Sequence, residues 1–167
     1  MGYMDFKSPI LEKVFKRFKW TRNNSIQIFE HAGKSGILEY ALKPSPKSKY
    51  TFQPITFQFQ CIATTANAYQ RILTNNSNVQ FGIFVEDGEV TSKKDLNKEK
   101  IFKILKNQLT ELEELFKNYD EKQALENIDN ILAISNHEYL HQGELILMFR
   151  EADAELPERF AKAWALG

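Results

Sequence analysis

Cysteine, histidine and net charge are all scarce in this chain. Its 167 residues include 1 Cys and 3 His, and 22 Lys+Arg balance 22 Asp+Glu. A lone Cys61 excludes an internal disulfide and fits a reducing cytoplasm. With no net charge there is no basic field to hold nucleic acid, so no nucleic-acid partner is expected. Long apolar runs are missing too. The opening stretch MGYMDFKSPILEKVFKRFKW scatters charges among its apolar residues, and nothing approaches the roughly 18 consecutive apolar residues of a membrane span. A membrane partner and an export signal are therefore not expected, and no internal repeat or low-complexity segment is visible.

What is present is helical periodicity. Hydrophobic residues make up 43% of the chain, enough for one closed core, and we read residues 1–167 as a single domain. Ser8-Pro9 reads as a cap followed by proline at the first helical position. Leu11, Val14 or Phe15, Phe18, Ile26 and Phe29 continue one face, and Gly33 and Gly36 end it. His31, in the last turn, suits a helix C-terminus. The loop KPSPKSKY then leads to Pro54. Ile55, Phe59, Ile62, Ala66, Tyr69 and Leu73 mark a second helix, ended by TNNSN.

The stretch VQFGIFVEDGEVTS allows either a short hairpin around Asp87-Gly88 or an ordered loop. The loop is favoured, because an isolated two-stranded hairpin is marginal and no further strand candidate exists. Ser92 to Asp95 resembles a capping box, and Phe102, Leu105, Leu109, Leu112 and Phe116 give a third helix its stripe. After NYDEKQ a fourth helix runs from Ile128 to Glu151, apolar nearly all round and expected to be the most buried. The tail LPERFAKAWAL adds a final turn or covers an interface with Phe160 and Trp164. The fold class is all-α, a four-helix bundle with a long connection between its second and third helices.

The chemistry concentrates in HEYLH, residues 137–141. Histidines four apart share one helix face, so His137 and His141 can aim at one point, and the His-Glu-x-x-His pattern is that of zinc peptidases. Ile134, Leu145 and Met148 share that face, and a metal would satisfy ring nitrogens in an apolar interior. The other reading is two histidines bonded to backbone and water. The peptidase reading is weak. Its longer form would place glycine at 144 and histidine at 147, where this chain has Glu144 and Leu147; only Glu151, Glu155 and Glu158 remain as distant third ligands, and no strand is evident to bind an extended substrate.

The longer stretch NHEYLHQGELILMFREADAELP resembles the last helix of the DinB-like, or YfiT-like, metalloprotein family. His137, Glu138, His141, Gly143, Leu145, Arg150 and Pro157 match its pattern in register, with Leu140 where the family often has histidine and Glu144 where it has glutamine. FKWTRNN, 18–24, is similar to the family's first helix, and TFQPITFQFQCIATTANAYQRIL, 51–73, to its second. That second helix usually supplies a third ligand, a histidine before Ile or Leu and Ala, and the matching residue here is Cys61. The resemblance thus implies a divalent metal, zinc or nickel, held by Cys61, His137 and His141.

Thiolate is a good zinc ligand, and three protein ligands plus an open position is the usual catalytic arrangement. The alternative for Cys61 is a buried small hydrophobe. Gln58 and Gln60 could also face the site. Glu138 and Glu144 are candidates for orienting the histidines from a second shell, or are solvated helix charges. By resemblance the activity would be a metal-dependent transferase or isomerase, with a low-molecular-weight thiol such as bacillithiol or mycothiol and an electrophile as partners. The resemblance also implies a homodimer. The competing reading is a metal-poor helical bundle that binds a small molecule or a protein partner without catalysis.

Overall fold

The computed structural model describes residues 5–44, 51–75 and 79–164. Part of the KPSPKSKY loop, the end of TNNSN and the last residues of the tail lie outside them. At the first helix the cap forms as expected. Ser8 Oγ accepts from the Leu11 amide at 3.4 Å, Pro9 needs no N–H donor in the first turn, and α1 runs Pro9–Lys34. Gly36 ends it in left-handed backbone, φ 71°, so that the Ile37 amide reaches back to the Ala32 carbonyl at 3.1 Å. The His31 ring makes no capping bond; only its backbone carbonyl accepts, from the Ser35 amide at 2.9 Å. The ring lies against Phe149, centroids 6.2 Å apart.

The remaining elements are α2 (Ile55–Leu73), β1 (Ile83–Glu86), β2 (Glu89–Ser92), α3 (Lys98–Asn118), α4 (Glu121–Glu126), α5 (Ile128–Glu151) and α6 (Glu158–Ala163). The described residues are thus mainly helical, as an all-α reading requires, with one small sheet. Among them no helix is long and apolar enough to cross a membrane. α2 packs on α5 and α3, and α1 on α3 and α5.

Three expectations are corrected. VQFGIFVEDGEVTS is a hairpin, not a loop. β1 and β2 pair antiparallel, Phe84 opposite Thr91 and Val85 opposite Val90. Asp87 and Gly88 turn the chain with φ of 50° and 83°, the left-handed pair that a tight two-residue hairpin demands. The missing third strand is replaced by a side chain: Asn67 of α2 accepts from the Val85 amide and donates to the Val85 carbonyl, both at 3.0 Å. Phe84 is then buried against the helices.

The second correction concerns the start of α3. Ser92 caps nothing, and residues Lys93–Asp95 form one turn of 3-10 helix. The cap is Asn97, whose Oδ1 accepts from the Lys100 amide at 2.8 Å. A capping box does occur, at Asp120 and Gln123, and it opens the short α4 inside NYDEKQ. The third is α5, which is not buried all round. Leu132, Leu140 and Leu147 are exposed, because the helix packs mainly on α2 and α1 and these three side chains lie off that packed face. The tail, for its part, closes the chain's own core: Phe160 of α6 is fully buried, and Trp164 rests on Tyr139 with centroids 6.4 Å apart.

The core falls into two apolar clusters. One gathers Leu11, Phe15, Phe18, Ala66, Leu112, Phe116, Ile131 and Ile134. The other gathers Ile26, Phe29, Ile55, Phe59, Ile101, Leu105, Leu145, Phe149 and Phe160. Between them α1, α3 and α5 contribute polar side chains, and α2 a backbone carbonyl. Arg22, with no exposed surface, is bonded through Nε to both oxygens of Glu138 at 3.0 and 2.9 Å and through Nη1 to Gln108 Oε1 at 2.6 Å. Gln108 donates onward to the Ala63 carbonyl. Gln142 donates to the Thr21 carbonyl and to Ser25 Oγ. A charged pair this deep is tolerable because both members are hydrogen-bonded, although Arg22 Nη2 has no hydrogen-bond partner among the described residues.

Candidate metal centre

Rotation of α5 about its axis places the site. Glu138 and Gln142, one turn apart, are tied to α1 as described above. Their neighbours His137 and His141, about 100° further round the helix, therefore face α2. There Cys61 and Thr65, also one turn apart, meet them. His137 Nε2 lies 3.7 Å from Cys61 Sγ and 3.5 Å from Thr65 Oγ1, and 3.2 Å from His141 Nε2.

The donor atoms of Cys61, His137 and His141 all fall within 4.8 Å of one another. A tetrahedral zinc ion with Zn–N of about 2.0–2.1 Å and Zn–S of about 2.3 Å has N···N edges of about 3.3 Å and N···S edges of about 3.6 Å. The observed 3.2 and 3.7 Å are close to both. Chemically the set suits zinc, one soft thiolate with two imidazoles.

The surroundings of His141 suit a metal ligand. Its Nδ1 lies 2.7 Å from Gln58 Oε1 and 2.9 Å from Glu144 Oε2. Two acceptors there hold the proton on Nδ1 and leave the Nε2 lone pair turned toward His137 and Cys61. Burial pushes both imidazoles below their ordinary value of 6.5, to about 4. For His137 the adjacent His141 adds to burial, while the Glu144 charge opposes it; for His141 the Lys93 ammonium adds to it. Both rings are thus neutral at neutral pH, and the His141–Glu144 contact is a hydrogen bond rather than an ion pair. The Glu144 carboxyl is itself pushed up by partial burial.

The candidates separate accordingly. Cys61, His137 and His141 come together, and Glu144 touches a histidine. Glu138 does neither thing expected of it: it is 1% exposed and bonded to Arg22, with no bond to either imidazole. Gln58 faces the site through His141, whereas Gln60 turns away and donates to the Leu96 carbonyl. Among the described residues Glu151, Glu155 and Glu158 are not part of the donor cluster. Thr65 and Arg22 were not singled out from sequence. Thr65 follows Cys61 by one helical turn, a spacing that would have found it; no local signal marks Arg22 as buried.

Comparison with known proteins returns no family model, no curated protein and no solved structure that matches this chain.

Proposed function

We propose that this chain is a DinB-like four-helix bundle, formed by α1, α2, α3 and α5, that holds a divalent metal through Cys61, His137 and His141 and acts in thiol transfer. The observation that carries the reading is the convergence of the three donors within 4.8 Å, with the two spacings from His137 close to the edges of a zinc tetrahedron. The neutral imidazoles and the proton fixed on His141 Nδ1 support it. A bound zinc or nickel would supply the positive charge that keeps an incoming thiol as thiolate.

The chain's own part is to aim and tune. Gln58 and Glu144 orient His141, Arg22 and Gln142 fix the rotation of α5, and the Cys61 thiolate offsets part of the metal's charge. That offset weakens activation of a fourth ligand relative to a site of three neutral histidines.

One observation favours a metal-poor bundle instead. Each histidine already has polar partners, Gln58 and Glu144 for His141 and Thr65 for His137, so the fold does not require an ion to satisfy them.

Elemental analysis separates the two readings, on protein purified without a nickel column, with Cys61→Ala and His141→Ala beside it. Near one equivalent in the parent and a loss in both variants is the expected result, and a screen of thiols with electrophiles follows. No metal after incubation with zinc or nickel would leave the metal-poor bundle standing.

A further inference from the structure

The face of α2 that carries Cys61 continues one turn earlier to Phe57, and over Phe57 lies a lysine. Lys93 Nζ sits 4.0 Å from the Phe57 ring centroid. The turn bearing Lys93 is pinned in place. Its amide donates to the Gly82 carbonyl at 3.0 Å, its carbonyl accepts from the Leu96 amide, and the Leu96 carbonyl accepts from Gln60 of α2 at 2.9 Å. Among the described residues no carboxylate pairs with this ammonium. Glu144, the carboxylate beside the donor cluster, is committed to His141 Nδ1.

A half-buried cation without an acid partner, held against a ring one helical turn from Cys61, is suited to receive an anion. We infer that Lys93 selects ligands carrying a carboxylate, so that the thiol reaching the metal is an acidic one, with its sulfur at the metal and its carboxylate at Lys93. The inference rests on the metal reading above and adds the substrate class to it. The stacked Phe57 restrains the lysine and lowers the entropy lost when an anion binds. Lys93 touches no donor atom, so its role is in specificity and not in holding the metal.

The test uses the full chain loaded with cobalt(II), whose thiolate charge-transfer absorption reports sulfur ligation directly. Cys61 ligation gives a first band on loading. Titration then compares 3-mercaptopropionate with its neutral isostere 3-mercaptopropionamide, in the parent and in Lys93→Gln. The quantity read is the change in the affinity ratio between the two proteins, in which any difference in thiol acidity cancels. The expected result is a ratio about fivefold more in favour of the carboxylate in the parent at low salt, the upper end for a partly solvated ion pair, with cobalt uptake and helical circular dichroism retained in the variant. Cobalt bound with the same ratio in both proteins would overturn the role of Lys93 and leave the metal site standing. No cobalt bound in the parent would remove both.

Discussion

Arg22 and Glu138 are the residues on which the site depends without belonging to it. Their side chains are 0% and 1% exposed, so removing one leaves an uncompensated buried charge, at a cost of about 3–5 kcal/mol. Glu138→Ala should lower the free energy of unfolding in urea by about that amount. Replacing both partners, as Arg22→Met with Glu138→Leu, should recover most of the loss; an equal loss in the double variant would mean that the charge is not the cause. The two histidines set a pH dependence. Their folded values, about 4, lie below the ordinary 6.5, so between those limits the unfolded chain binds more protons than the folded one. Stability from this source is complete above about pH 6.5 and is lost as pH falls toward 4. The raised Glu144 carboxyl works in the opposite sense, and its half-exposed position makes it the smaller effect. Thermal midpoints of metal-free protein across that range should fall on acidification, and less so in a His137→Gln, His141→Gln variant.

At the scale of the element, legibility in the sequence followed the kind of information needed. The bounds of α5 and the sharing of one face by His137 and His141 are periodicities, and the structure has them as read. The hairpin is not legible in the sequence because its anchor includes Asn67, a residue 18 positions from Val85, and no local pattern announces that a helix side chain will stand in for a neighbouring strand. Asn67→Ala removes both bonds to Val85 and should cost about 1–3 kcal/mol. Hydrogen exchange should rise in β1 and β2 while α1 and α5 keep their protection; uniform loss across the chain would argue against a local anchor. The burial of Arg22 is hidden in the sequence for a related reason. A charged residue in an amphipathic helix reads as solvated, and only the meeting of α1, α3 and α5 shows that it is enclosed.

For the whole molecule, two apolar clusters separated by a polar layer make the packing of the helices mutually dependent. A layer of specific hydrogen bonds tolerates one register, whereas apolar surfaces alone tolerate several. The donors of the proposed metal centre sit on α2 and α5, both of which this layer engages, so ligation and folding should be linked. Zinc at about 100 times its dissociation constant should add about 2.7 kcal/mol and raise the thermal midpoint by about 5–10 °C. Chelator should reverse the shift and Cys61→Ala should abolish it; a parent indifferent to zinc would count against the site.

The place of Phe160 also bears on how the protein is made. Its ring is fully buried in the cluster that includes Ile26 and Phe59, so that cluster is not complete until residue 160 has left the ribosome. Cys61 emerges long before His137, which follows it by 76 positions. Throughout that interval the thiol is a nascent-chain cysteine without its histidines, open to whatever oxidants and metal ions surround the ribosome.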